Sequence, residues 1–482
     1  MRERQWKVTL IFMCQCWMLL APVQPQAEDV REGNPVWEAT TLLIAGQYSG
    51  EPAGRGAQQT TGVYQSKYAA PTLTMTESVQ QAVSWHPRIS ESVNELFQSQ
   101  QNIRIARSGY FPQLSAGVLA GHDSQVEGDG DGHAFQLSAS QVIYDFGKIS
   151  SGVDLANAEA TRSLANVLLS VDEIARQTAS AAIEVQRYQA LLLIAQERID
   201  GVQSIASLVK MRSDSGASSR SDFLQATSRI QAASAEFQQT EARLQRWRAE
   251  LQSLTGTEQQ LVLSMDSPSS LESACEKPVA EIAASPRVLI ADASREEAMA
   301  RLKESRANAW PTLSLEASYN RYLDPRYVDV AVIDENEAAV FLNLSMPIYQ
   351  GGRISASKES NTFALQAADY AMDTAIEVAK RDYRSTQEQE RGLARSLDLL
   401  EASVRSIQET RDLYRKQYSS LGTRTLLDLL NSEQEVYRAR QDLHETLFNL
   451  QRLRLDCLFN VGAMRSAFGI EGQQVQGVEI LP

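Results

Sequence analysis

The stretch from Phe146 to Met211 constrains the chain more than any other. It contains no proline, and its glycines are Gly147 and Gly152 at the start and Gly201 near the end. Starting at Leu164, Leu168, Val171 and Ala175 and running to Val202, Ala206 and Val209, apolar positions advance by four and three residues with one three-three stammer, the spacing of a heptad seam. At about 1.5 Å rise per residue, roughly 65 residues make a rod of about 100 Å. A two-position seam is too narrow to bury itself, so the rod requires partner helices along its length.

Composition agrees with rods. The 482 residues are 43% hydrophobic with 7% aromatics, the balance of a coiled coil. A formal net charge of −14 argues against nucleic acid as a partner, which calls for a basic patch or stripe. At the N-terminus Arg2, Arg4 and Lys7 precede an apolar run from Val8 to Ala21, followed by Pro22, Pro25 and Ala27. This reads as a signal peptide over residues 1–27, too short to span a bilayer. Met13 and Gln15 stand where a lipobox before Cys14 or Cys16 wants a small residue, so acylation is not expected. Removal of the leader leaves Cys275 and Cys457, which we expect to be two isolated buried thiols rather than a disulfide.

Residues 28–71 lack periodicity and read as a poorly ordered extension. Thr76 is expected to cap a helix that ends near Ser108 and is broken at Pro87. After Pro112 the period changes to two, with Leu114, Ala116, Val118 and Ala120 alternating with Gln113, Ser115, Gly117 and Leu119. A polar turn and a second alternating run complete a hairpin over about 112–146, long enough to cross an outer membrane. The long helix, about 147–213, turns at Gly216 into a second helix over about 221–255, whose seam runs from Phe223 and Ala226 to Leu251 and Leu254. An antiparallel coiled-coil hairpin results.

Past a proline-punctuated connector (257–285) the pattern recurs. Pro87, Arg88, Arg107 and Phe111-Pro112 return as Pro286, Arg287, Arg306 and Trp310-Pro311, 199 residues on. Gly216, Asp222 and Gly256 return as Gly422, Asp428 and Gly462, 206 residues on. The second repeat (286–463) therefore holds a helix, a hairpin at about 311–350, a long helix at about 352–419 and a shorter one at about 424–461. A loose tail, 464–482, is expected to follow. The fold class is α+β, mostly α: a duplicated unit of long antiparallel coiled-coil helices plus a β-hairpin. Four strands cannot close a barrel and open edges are not tolerated in hydrocarbon, so several copies must share one. Tyr110, Phe111, Tyr144, Phe146, Trp310 and Tyr349 all fall at the strand ends nearest the rods, where an interfacial girdle would sit.

No constellation for catalysis or metal binding is present, and no cofactor is expected. His86, His122, His133 and His444 lie in separate elements, and the Asp/Gly run at 127–132 lacks the spacing of an EF-hand loop, so an external loop without a ligand is expected there.

The duplicated pattern, the junctions Val142-Ile143-Tyr144-Asp145-Phe146-Gly147-Lys148 and Pro347-Ile348-Tyr349-Gln350-Gly351-Gly352-Arg353, and the turn Gly422-Thr423-Arg424-Thr425 resemble the TolC family of outer-membrane channel-tunnels. The resemblance covers about residues 72–463. It implies a homotrimer with a twelve-stranded transmembrane β-barrel in the outer-membrane lipid, continued by an α-helical tunnel through the periplasm. It also implies partners: a periplasmic adaptor (membrane fusion protein) and an inner-membrane ABC transporter or other pump. A periplasmic gate is implied in which Arg424 ties to Asp222 and Ser221, with acidic positions at Asp428 and at Asn431, the latter departing from the acid. Ser419 stands where a relative has tyrosine, with Tyr418 beside it. The unacylated N-terminus and the Gly-Thr-Arg-Thr turn resemble the branch that serves type I protein secretion of a large adhesin or toxin, with multidrug efflux as the alternative. From another class, a soluble periplasmic coiled-coil scaffold or adaptor competes; it has no use for two membrane-length hairpins at matching positions.

Overall fold

The structure, a computed structural model, describes residues 72–122, 131–257, 262–323 and 336–480. The expected leader, the extension and most of the Asp/Gly loop lie outside the described residues. A short strand β1 (Thr72–Leu73) leads to helices α1 (Met75–Trp85) and α2 (Pro87–Ser108). Strands β2 (Gln113–His122) and β3 (Asp131–Tyr144) follow, then the rods α3 (Lys148–Asp214) and α4 (Arg220–Thr255). The connector contributes β4 (Val262–Leu263) and short 3-10 turns. The second repeat comprises α5 (Pro286–Ala307), β5 (Thr312–Tyr322), β6 (Asn336–Ser345), α6 (Arg353–Lys416) and α7 (Leu426–Asn460). A single turn α8 (Met464–Ala467) and the strands β7 (Gln474–Val475) and β8 (Val478–Glu479) end the chain.

Local chemistry sets these boundaries. Thr74, not Thr76, caps α1, because a Thr-x-x-Glu box is available there: the Glu77 amide donates to Thr74 Oγ1 at 3.2 Å and the Thr74 amide to Glu77 Oε2 at 2.8 Å. Pro87 and Pro286 each open a helix, where their missing amide proton costs nothing. The rods α4 and α7 begin with matching boxes, Ser219 with Asp222 and Thr425 with Asp428. Gly256 and Gly462 end the respective repeats at φ +67° and +74°. A Cβ on Gly256 would stand 2.5 Å from the Trp85 ring, and one on Gly462 would meet the backbone of Ala284. Both the dihedral and the close approach require glycine there, and the two contacts are counterparts in the repeat.

The main core sits where the ends of both repeats converge. It joins α1 and α2 (Met75, Val79, Ile89, Val93), the middle of α3 (Val167, Val171, Ile174, Ile183), the end of α4 (Leu251) and the end of α7 (Leu455, Leu458). The connector is part of this knot. β1 pairs in parallel with β4, Gln387 donates to the Cys275 carbonyl at 2.7 Å and Tyr383 to that of Lys277 at 2.7 Å. Cys275 and Cys457, expected as separate thiols, form a disulfide. Both elements pack on the same stretch of core, and this brings together cysteines 182 residues apart. The tail is not loose either: Met464, Phe468, Ile470, Val475 and Ile480 are buried in the same cluster.

Arg465 of α8 and Asp172 of α3 are both fully buried. Arg465 Nε lies 3.7 Å from Asp172 Oδ1, close enough for ion pairing but too long for a hydrogen bond. Burial pushes the Asp172 carboxyl up to about 7, against the pull of Arg465. Above about pH 7, where the Asp172 carboxyl is ionised, Asp172→Leu strands a cation that cannot shed its proton, and is expected to cost about 3–5 kcal/mol of unfolding free energy; pairing it with Arg465→Met returns stability to within about 1 kcal/mol of wild type. Between the ordinary carboxylate value of 3.8 and about 7 the folded chain holds a proton on Asp172 that the unfolded chain releases. Stability therefore falls as pH rises through that window, and Asp172→Asn removes this part of the slope in a denaturant titration series. Cys275→Ser is expected to lower the unfolding free energy by up to about 4 kcal/mol, with a mobility difference from wild type on non-reducing gels only.

Candidate conduit site: an amphipathic sheet and two helical turns

The two hairpins join into one antiparallel sheet in the order β2-β3-β5-β6, with β3 paired to β5 across the repeats. Register sorts its side chains by face. Leu114, Ala116 and Val118 stand opposite Ala139, Leu137 and Phe135, and these continue to Ala317, Tyr319, Leu315, Val340, Leu342 and Leu344. On the reverse face Gln113, Ser115, Ser138, Ser140, Glu316, Ser318 and Asn343 predominate. Polar groups bond one another there: Ser115 Oγ to Ser138 Oγ at 2.6 Å, and Asn343 Nδ2 to Glu316 Oε1 at 2.8 Å. The apolar face is exposed, with Leu114, Val118, Val340 and Leu342 each about 70% accessible. At about 3.4 Å per residue, ten-residue strands reach about 34 Å, enough for a tilted crossing of a hydrocarbon layer. Along the outer strands, β2 and β6, one row of backbone groups has no strand beside it among the described residues.

The six aromatic residues gather at the strand ends. Phe146 stacks on Trp310 at 5.6 Å between ring centroids and meets Tyr144 edge-on at 4.7 Å, so this trio joins the two repeats. Tyr110, Phe111 and Tyr349 are exposed at the same end of the sheet. Where strand passes into rod, both repeats take two successive left-handed residues, Phe146-Gly147 and Gly351-Gly352. Phe146 adopts φ +54°, a costly conformation outside glycine, held by its ring contacts. Asp145 then accepts from the amides of Gly147 (2.9 Å) and Ile149 (2.6 Å), capping the start of α3.

At the other end of the rods are two turns. Asp222 Oδ2 accepts from Ser218 Oγ (2.7 Å) and the Ser219 amide (3.1 Å), and these bonds hold its carboxyl below the usual carboxylate range. Ser221 Oγ bonds Ser219 Oγ at 2.6 Å. In the second turn a π-helical segment, Gln417–Leu421, leads to Gly422. Arg424 donates to Gln417 Oε1 at 3.0 Å, lies 3.9 Å from Asp428 and stacks 4.2 Å over the Tyr414 ring. Asn431 is exposed one turn beyond Asp428. Within one chain, then, Arg424 is engaged by its own turn and does not meet Asp222 or Ser221. The link between the turns is a residue the sequence reading missed: Arg212 donates to the Tyr418 carbonyl at 2.8 Å and lies 4.8 Å over its ring. Arg212 and Tyr418 are 206 residues apart, the offset of the repeat, so they hold equivalent places in the two halves.

A membrane-length sheet with one apolar and one polar face, continued by long paired rods, is the build of a membrane-anchored helical channel. The family described as "outer membrane efflux protein" matches residues 78–257 and 278–454. The chain is 22% identical over 384 residues to "Outer membrane protein TolC" of Vibrio cholerae, covering 77% of this chain and 85% of that one. It is also 22% identical over 392 residues to "Alkaline protease secretion protein AprF" of Pseudomonas aeruginosa, covering 75% and 79%. Among solved structures the fold is similar to that of CusC, with a TM-score of 0.72 at 18% identity over 87% of this chain and 99% of that one. The chain belongs to the outer membrane efflux protein family, and it is an outer-membrane protein and a TolC-type channel.

A charge on the apolar face is expected to be costly: Val118→Arg or Leu342→Arg should lose about 2–4 kcal/mol and reduce the protein recovered in the outer membrane. Ser138→Arg, on the polar face, should leave that yield close to wild type.

Proposed function

We propose that three copies of the chain close a twelve-stranded barrel, and that the rods extend from it as a tunnel across the periplasm. Such a trimer takes cargo from an inner-membrane pump joined through a periplasmic adaptor. The observation that carries this reading is the pair of open edges: in hydrocarbon, β2 of one copy requires β6 of the next. Twelve strands leave a lumen, whereas eight would fill with side chains. The rods agree. α6 buries three side chains within the described residues, Ala379, Tyr383 and Val404, while Phe363, Tyr370, Leu399 and Leu413 stay exposed along it. Its seam awaits another copy. The chain is a passive conduit rather than an enzyme or a soluble scaffold.

The gate in this reading is intermolecular. Arg424 of one copy reaches Asp222 and Ser221 of its neighbour, with Asp428 and Asn431 beside the constriction. Both described bonds to the Asp222 carboxylate end on Oδ2, which leaves Oδ1 for that contact. The route we propose is type I secretion of a large protein, on the Gly-Thr-Arg-Thr turn and the likeness to a protease secretion protein. The family's description favours efflux as the second reading.

Deletion of the gene separates the two routes. Under the secretion reading a large protein disappears from the culture medium and drug resistance is unchanged; hypersensitivity to many drugs with an unaltered medium would favour efflux. Arg424→Ser is expected to raise the resting conductance of the purified channel in planar bilayers several-fold, and a wild-type conductance would remove the gate assignment.

A further inference from the structure

The rods carry a buried polar cluster that the tip does not explain. Arg198 of α3, 8% exposed, bonds Glu236 of α4 and Gln434 of α7, and its guanidinium lies 4.5 Å over the ring of Tyr437, also of α7. Tyr437 Oη closes the ring of contacts by donating to Glu236 Oε1 at 3.0 Å. One turn away, Glu433 of α7 is buried, 3.9 Å from Arg411 of α6. Arg440 of α7 pairs with Glu197 of α3. Four rods are thus bridged at one level, about 24 Å from the first turn at 1.5 Å for each of the residues between Arg198 and Asp214.

A coiled coil gains nothing in stability from this arrangement. Apolar side chains of similar volume do as well or better than a buried charge pair. The helix α3 bears a second cost at the same level. Gly201 lies inside it, roughly 1 kcal/mol worse than alanine, and a Cβ there would fall on the Glu433 carboxylate, 3.0 Å from its Cδ. The glycine keeps room for the acid. Beside it a cavity of about 60 Å³, lined by Arg198, Arg411, Glu433 and Tyr437, leaves space that interdigitated leucines would close. Burial and the adjacent Glu236 push the Tyr437 hydroxyl up to about 12, so it remains a donor at any physiological pH.

We propose that the Arg198–Glu236–Tyr437–Gln434 cluster is a second clasp, internal to each copy, which holds the α6/α7 pair against the α3/α4 pair and must break when the tunnel opens. The inference rests on the channel reading above. Polar contacts suit a joint that parts and re-forms, because separated partners regain water, whereas exposed leucines would not. The tip supplies the complementary observation: Arg424 makes no contact with the first turn of its own chain, so apart from Arg212 on Tyr418 the rods' polar ties lie higher.

Tyr437→Phe tests the clasp with the ring and its packing intact. In purified channels in planar bilayers it is expected to raise resting conductance on the order of tenfold, since one bond to a charged group is lost in every copy. Arg198→Met should do at least as much, and cells carrying either variant should take up vancomycin faster. Trimer yield and melting midpoint of Tyr437→Phe should stay near wild type. Wild-type conductance in Tyr437→Phe while Arg424→Ser leaks would overturn the clasp and leave the tip gate standing; leakage in Tyr437→Phe with none in Arg424→Ser would do the reverse. A lowered melting midpoint without leakage would reduce the cluster to a structural register pin and also overturn the proposal. Should Arg198→Met fail to assemble, Tyr437→Phe decides.

Discussion

Backbone hydrogen bonding in hydrocarbon governs the architecture. Each amide and carbonyl on the outer rows of β2 and β6 would cost several kcal/mol if left unpaired in lipid, and the described residues of one chain supply four strands to this sheet. Everything else follows from satisfying those rows by copying the chain. Duplication of one helix-hairpin-rod unit places two hairpins side by side, and β3 pairs with β5 so that the four strands form one continuous segment of wall. The same duplication sends two pairs of rods away from that wall, and α6, which buries three side chains among the described residues, is the surface that the next copy covers in the proposed trimer.

Much of this was legible from residue spacing. The seam from Leu164 to Val209 and the alternation from Gln113 to Ala120 gave rods and strands directly, and the 199- and 206-residue offsets located the second repeat. What was not legible depends on contacts between distant segments. Cys275 and Cys457 looked isolated because their meeting requires the connector to fold back on α7. The tail looked loose because its apolar residues, Phe468, Ile470, Val475 and Ile480, follow no period; they fill the knot as single side chains instead. At the turns, the family resemblance pointed to Arg424, Asp222 and Ser221, and the structure places each in the hydrogen bonding of its own turn. Arg212 went unnoticed as the partner of Tyr418 because its bond runs to a main-chain carbonyl, which no residue type advertises.

Stability and motion are divided along the rods. The knot of both repeats' ends is apolar, closed by a disulfide and by the Asp172–Arg465 pair, and it is built to stay fixed. Towards the tip the apolar contacts between the pairs of rods shrink to two small clusters, Leu191, Ile194, Ala195 and Tyr437, then Val202, Ile205, Val209, Tyr418, Leu426, Leu429 and Leu430, and polar contacts are set among them. In the proposed trimer, a tunnel anchored at one end and held by breakable contacts at the other opens without unfolding.

The number of chains in the assembled particle tests the central claim most directly. Sedimentation of the mature protein extracted from the outer-membrane fraction, with bound detergent accounted for by its own signal, should give a mass of three chains. A particle of two chains, or a monomer recovered in the soluble periplasm, would contradict the account, because neither supplies a partner arrangement in which β2 and β6 close around a lumen.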